Sequence, residues 1–301
     1  MQAASSKVIR LADSIPGLFL LSVVCFLLAG CASAKPDLVW RRIQEQGVIR
    51  VGMEANWVPF EYVDGTGQLS GFDVELARRL GERLGLEVRF YANLSFDGLY
   101  DALTAGQVDA VISAVVVDVG RSADFAYSVP YFDAGQVLVV PPGQQEAISP
   151  ADVRIDEMQD LGGRALAVEL GSDGDTVARR WARRLVGLSL LHTDSADASL
   201  AAVADGQADA ALTDRATALM ALKARAVVPG EPLGQAPAQR KGSSKNADHD
   251  LTISGGPVTD EQYAVVVLGG SDELLNALNT TLAEMRRDGT LNELERKWLG
   301  P

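Results

Sequence analysis

Residues 97–114 read DGLYDALTAGQVDAVISA, and residues 197–214 read DASLAAVADGQADAALTD. Asp97, Ala102, Gly106, Gln107, Asp109 and Ala110 recur 100 positions later as Asp197, Ala202, Gly206, Gln207, Asp209 and Ala210. Each copy reads as an apolar-periodic helix, a glycine that stops it, and a short buried strand. One helix–strand unit used twice predicts two similar lobes. In open α/β sheets, ligands bind beyond the carboxyl ends of the strands. The repeat therefore predicts the site as well: Ser113-Ala114 and Thr213-Asp214 end the two strands and line a cleft between the lobes.

The same alternation continues on either side. Ile49–Met53 reads as a strand. Gly71–Leu84 places Phe72, Leu76, Leu80 and Leu84 at helical spacing before a stop at Gly85. Val88–Tyr91 reads as a strand, and Val137–Val140 is an apolar run ending at Pro141-Pro142, read as the crossing between lobes. A second series follows: strand Arg164–Leu170, helix Thr176–Leu185, strand Leu188–His192, the second repeat, and a helix over Ala216–Ala224. Strand Gln262–Leu268 precedes closing helices Asp272–Arg287 and Leu291–Leu299. Strands alternating with helices predict an α/β class with mainly parallel sheets flanked by helices. Residues 230–250 break the pattern; rich in Gly, Pro, Ser, Lys and Gln, they read as a surface loop.

The N-terminus reads as an export signal. Lys7 and Arg10 precede an apolar run, Ile15–Leu28, too short to span a bilayer comfortably. The run ends in Leu28-Ala29-Gly30-Cys31, which resembles the bacterial lipobox, whose cysteine is lipidated and becomes the new first residue. The alternative is an ordinary secretory peptide cut after Ala32 or Ala34; either way the protein is exported. Residues 1–30 are then a lipoprotein signal peptide and 31–47 a tether. Cys25 leaves with the signal, so Cys31 is the one mature cysteine and no internal disulfide forms. Acyl chains such as palmitate on Cys31 would anchor a protein that does not span the membrane. The formal net charge is −13; losing Lys7, Arg10 and Asp13 removes a net +1 and leaves −14. Such a surface argues against nucleic acid and anionic membrane as partners.

Enzymatic signals are missing from the sequence. Its two histidines, His192 and His249, form no metal-spaced cluster with cysteine. No Gly-x-Ser-x-Gly, phosphate loop or dinucleotide fingerprint follows a strand. No metal or cofactor is expected.

Several stretches together resemble the family 3 solute-binding proteins, which serve polar amino-acid ABC importers. They are Val51–Tyr62 (VGMEANWVPFEY), Gly71–Ala77 (GFDVELA), Phe96–Leu99, Ser128–Phe132 (SVPYF), Val168–Ser172 (VELGS), Asp209–Asp214, Asp288–Thr290 and Lys297-Trp298. The resemblance covers 48–301 apart from 230–250. It implies a type II periplasmic-binding-protein fold with two crossing strands as hinge. Lobe 1 is then 48–140 plus 262–301, and lobe 2 is 141–261. It also implies a monomeric, extracytoplasmic protein that delivers an amino acid to a membrane permease.

Site roles follow from the resemblance position by position. Arg121 matches the arginine that grips the ligand α-carboxylate, a task suited to a bidentate fork. Asp214 matches the aspartate that receives the α-ammonium, and it equally suits a helix N-cap. Trp57 and Phe96 match the aromatic sandwich, whose ring faces also suit a cation; the alternative places both rings in the core. Glu54 matches an acidic position at the ligand's distal end, or else caps local backbone. Ser113, Ser172 and Asp173 complete the set at a strand tip and a helix start. The chain departs from the family pattern at Val116, which lacks the usual hydroxyl, and at Asp118 and Asp173, which add negative charge. Glu54, Asp118, Asp173 and Asp214 face one cation, Arg121, which favours a basic amino acid as ligand. Two rivals remain: a dehydratase-like enzyme with Glu169 or Asp173 as general acid, and a ligand-sensing ectodomain.

Overall fold

The computed structural model describes residues 37–142, 154–226 and 251–300. The signal peptide, Cys31 and the 230–250 insert lie outside the described residues, while the expected tether over 31–47 is corrected from Leu38 on, where Leu38–Gln46 is a helix capped by Asp37 that buries Ile43 in the core. Among the described residues no helix is long and apolar enough to cross a membrane.

Two five-stranded sheets have the same order. The first runs Glu87–Tyr91, Val48–Gly52, Ala110–Val111, Val266–Leu268, Phe125–Tyr127. The second runs Ser189–Thr193, Ala165–Glu169, Ala210–Asp214, Gln136–Val140, Thr252–Ser254. In each, the first three strands are parallel and the last two join antiparallel. The parallel half is the part written by alternating strands and helices. The antiparallel half comes from chain that crosses between lobes.

The sequence repeat proves to be architectural. Gly106 and Gly206 take φ of 66° and 71°, the left-handed conformation that ends a helix without a Cβ penalty. Gln107 N–H and Gln207 N–H each return to the helix, donating to Ala102 O at 2.9 Å and Ala202 O at 2.8 Å. Asp109 Oδ2 then accepts from Arg50 N at 2.9 Å, and Asp209 Oδ2 from Ala165 N at 2.7 Å. The repeated aspartate thus binds its strand to the neighbouring strand in both lobes. Asp109 is buried and also holds the guanidinium groups of Arg50 and Arg42.

Helices cover both sheets on both faces. In helix Phe72–Leu84, Phe72, Val74, Leu76, Ala77 and Leu80 are buried, Asp73 and Glu75 occupy the first turn, and Gly85 closes the end at φ 68°. A Cβ at Gly81 would lie 2.3 Å from Val88 Cγ2, so glycine is what lets this helix lie against strand Glu87–Tyr91. Helices Asp272–Arg287 and Thr290–Trp298 bury Leu274, Leu278, Leu282, Met285, Leu291 and Leu294 in the same core.

The crossing lies before the position expected from Pro141-Pro142. Phe132–Asp133 pairs antiparallel with Gln262–Tyr263 as a two-stranded ribbon between the sheets. Gln136–Val140 is fully buried inside the second sheet, and Val266–Leu268 belongs to the first. The expected boundary at 140 therefore moves back to the ribbon, and the single strand expected over Gln262–Leu268 divides in two. The prolines end a sheet strand rather than mark the passage. A Cβ at Gly135 would meet Thr259 O at 2.1 Å, so the two crossing segments pass closer than any side chain allows.

Candidate functional site

Two cavities open where the strand ends face the crossing, and they share Trp57 and Tyr263. The first, about 290 Å³, is lined by Glu54, Asn56, Trp57, Glu61, Phe96, Ser113, Ala114, Val116 and Tyr263. The second, about 390 Å³, includes Gln136, Glu169, Ser172, Asp173, Thr213, Asp214, Met220 and Glu261. Both strand ends named by the repeat, Ser113-Ala114 and Thr213-Asp214, reach these cavities.

The first cavity has a buried polar floor. Ser113 Oγ accepts from Glu54 N at 3.0 Å and donates to Glu61 Oε1 at 2.8 Å, so this hydroxyl is already engaged. Asp73 lies beneath, its Oδ2 accepting from Ala114 N at 2.6 Å and from Tyr131 O–H at 2.8 Å. Ala114 holds a φ of 46° in this arrangement. Glu61 Oε2 and Asp73 Oδ1 find no donor as two carboxylates, while one proton shared by the carboxyls satisfies both oxygens. Burial raises both groups, and the charge of Asp73 raises Glu61 further. The donors on Asp73 keep it the ionised partner, so Glu61 carries the proton at neutral pH.

Above this floor the rings are open. Trp57 is 55% exposed and Phe96 48%, so both line the cavity with open rings and neither is a core residue. Glu54 Oε1 accepts from Asn56 Nδ2 at 3.0 Å, a local contact that leaves the other oxygen available. Val116 lines the wall where a hydroxyl was expected.

In the second cavity, Asp214 Oδ1 accepts from Thr217 N at 2.9 Å, so it caps helix Arg215–Ala226 while lining the cleft. Ser172 caps helix Asp173–Ala182, accepting from Asp175 N at 3.0 Å and donating to Glu169 O at 2.8 Å. Glu261 is raised above the usual carboxylate range, first by burial and then by the charges of Asp173, Asp214 and Asp133, against a hydrogen bond from Thr259. Those acids lie within electrostatic reach of Glu261.

Arg121 is the residue that the structure does not bring in. It closes the short turn Val119–Arg121, where Asp118 caps Gly120 N at 2.8 Å and pairs with Arg121 Nε at 3.3 Å. Its guanidinium carbon stands 4.3 Å from the centroid of the Tyr100 ring, and the residue lines neither cavity. Asp118, which adds negative charge by residue type, pairs with Arg121 on the same turn, both side chains about half exposed. Across both cavities six carboxyl groups appear, from Glu54, Glu61, Glu169, Asp173, Asp214 and Glu261, with no Lys, Arg or His among the described lining residues.

Sequence reasoning missed Glu61, Gln136, Glu261 and Tyr263 as lining residues. The last three stand on or beside the crossing segments. Placing the crossing at 132–133 and 262–263 would have found them. Among the described residues no group of three His, Cys, Asp or Glu could hold a metal ion.

Two lobes with the same sheet order, an antiparallel crossing ribbon and a cleft at the strand ends define a two-lobed solute-binding protein. The chain belongs to the bacterial extracellular solute-binding proteins, family 3, which it matches over residues 49–301. It is 28% identical to the L-cystine-binding protein TcyJ of Escherichia coli (strain K12), over 86% of this chain and 85% of that protein. Among solved structures it resembles the L-cystine solute receptor of Neisseria gonorrhoeae in the unliganded open conformation, with a TM-score of 0.66 and 28% identity over 87% of this chain and 96% of that one. It also resembles an ancestral cyclohexadienyl dehydratase, AncCDT-3(P188L), with a TM-score of 0.65 and 25% identity over 89% and 98% of the two chains.

Proposed function

We propose that this protein is a monomeric extracytoplasmic binding lipoprotein of an ABC importer. It captures a polar, basic amino acid between its lobes and delivers it to a membrane permease. Lipid on Cys31 holds it at the membrane. The carrying observation is the cleft's charge: six carboxyl groups and no lining cation among the described residues, together with the exposed rings of Trp57 and Phe96. Glu61 is neutral in this account, and the other five acids favour positive charge. At an effective dielectric near 20, one charge pair about 4 Å apart contributes about 4 kcal/mol before desolvation.

Glu54, Trp57 and Phe96 take the ligand from the first lobe, with Ser113 fixing the Glu54 backbone. Asp173 and Asp214 take it from the second, with Ser172 holding the helix start. Lobe closure excludes water and strengthens these contacts. The ligand leaves unchanged. The dehydratase reading, with Glu169 or Asp173 as acid, requires the purified protein to turn over prephenate or arogenate, and no turnover is expected. The binding test is a thermal-shift screen of the twenty amino acids and ornithine, since ligand raises stability by RT ln(1 + [L]/Kd). Shifts are expected with the basic members. A shift with glutamate or aspartate and none with the basic set would refute the charge reading.

A further inference from the structure

Helix Arg215–Ala226 serves both lobes, and its residues sort onto three sides by their spacing. Asp214 at its start, with Thr217 and Met220, lines the second cavity. Ala218, Ala221 and Leu222 pack into the core of the second lobe. Arg215, Leu219 and Lys223, four residues apart, turn to the first lobe. Arg215 pairs with Glu295 of helix Thr290–Trp298, and its guanidinium carbon stands 5.1 Å from the centroid of the Phe132 ring. Leu219 is buried in the first lobe's core. Lys223 Nζ donates to Lys297 O at 2.7 Å, at the end of the same first-lobe helix.

The crossing ribbon shows on which side these contacts lie. Successive side chains of a strand point to opposite faces. Glu261 and Tyr263 line the cleft. Gln262, between them, lines a third cavity of about 450 Å³ together with Asp133, Arg215 and Glu295. The Arg215–Glu295 pair therefore joins the lobes on the face of the ribbon turned away from the cleft. A rotation about the ribbon that brings the lobes together on the cleft face draws them apart on this one, and the pair has to stretch. The pair is made while the cleft is open: the two cleft cavities share only Trp57 and Tyr263, and the rings of Trp57 and Phe96 are about half exposed.

We propose that the Arg215–Glu295 pair is a strut behind the hinge that holds the lobes apart, so that Glu295, on the far side of the ribbon from the ligand, is a positioning residue that sets the affinity of the cleft. The proposal needs only that a ligand binds between the lobes, whatever its charge. A ligand that selects the closed form has its apparent Kd raised by the rarity of that form. Weakening the strut makes the closed form commoner and tightens binding. This runs against what the same substitution does otherwise, since losing an acidic charge weakens the pull on a cation and losing a contact between lobes lowers stability.

The test is calorimetry with L-arginine, L-lysine and L-cystine on the purified parent, Glu295→Gln and Glu295→Arg. Glu295→Gln should tighten each amino acid that binds the parent by roughly two- to fivefold, the range of a partly exposed ion pair, with Tm equal or lower. Glu295→Arg, which sets two guanidinium groups against each other, should tighten at least as much; if it does not fold, Glu295→Gln decides alone. Unchanged or weaker binding, or tightening of one amino acid and not another, would overturn the proposal. Single-molecule FRET supplies a readout without ligand. Dyes at Asp97→Cys and Asp197→Cys, exposed positions at the starts of the two repeats, are placed in a Cys31→Ser background. The closed fraction of the free protein should rise on substitution of Glu295. Equal fractions would refute the strut. If none of the three amino acids binds, the basic-ligand reading fails, and the FRET comparison still decides this one.

Discussion

Replacing Glu61 with glutamine should remove most of the protein's loss of stability above neutral pH. Glu61 is buried, and its carboxyl rises to about 10 from an ordinary 4.5, first through burial and then through the charge of Asp73. In the unfolded chain the same group loses its proton near 4.5. Between those two values the folded state holds one more proton than the unfolded state, so stability falls as pH rises. The slope is at most about 1.4 kcal/mol per pH unit. From pH 7 to pH 9 this sums to at most roughly 3 kcal/mol, or roughly 6–12 °C in Tm for a protein of this size. Glutamine reproduces the neutral group: its carbonyl accepts from Ser113 Oγ and its amide donates to Asp73 Oδ1, with no proton to lose. Calorimetric Tm should therefore be recorded for both proteins between pH 6 and pH 9.5. The gap should widen in favour of Glu61→Gln as pH rises. Parallel curves, or a variant that loses ground at alkaline pH, would refute the shared-proton assignment.

Three further outcomes are expected. Asp109→Ala should cost about 3–5 kcal/mol in urea unfolding, because Arg50 and Arg42 lose a buried carboxylate partner; a cost under about 1 kcal/mol would reduce the repeated aspartate to a minor role. Asp214→Asn keeps an oxygen for Thr217 N and so should leave Tm nearly unchanged while weakening cation binding at least tenfold, read by calorimetry. Cys31→Ser should release the protein from membranes in a fractionation experiment, and continued membrane retention after signal cleavage would remove the lipid anchor from the account.

Much of the fold was legible in the sequence because it was written locally. The glycine stops at 106 and 206 and the aspartates at 109 and 209 act within a few residues or on the adjacent strand, so the repeat identified matching units in both lobes. Helix bounds such as Phe72–Leu84 followed from apolar spacing and Gly85. Asp214 showed both of its possible positions, as a cap and as a cleft residue, because its strand end and the following helix are consecutive in the chain.

Tertiary structure decided the rest. An apolar run such as Gln136–Val140 reports that a strand is buried, but not which sheet buries it, and so the lobe boundary was misplaced. Gln136 and Tyr263 meet at the cleft only because two distant segments cross there. Arg121 carries the residue type of a carboxylate clamp. It contacts Tyr100, which lies on another element, and Asp118 on its own turn, and it lines neither cavity. Glu61 and Asp73 each read as an ordinary carboxylate in the chain, and only their shared burial makes one of them an acid that keeps its proton. Residue type and spacing determine which local structures form. Burial and electrostatic state depend on which of those structures come together, and that is a property of the folded molecule.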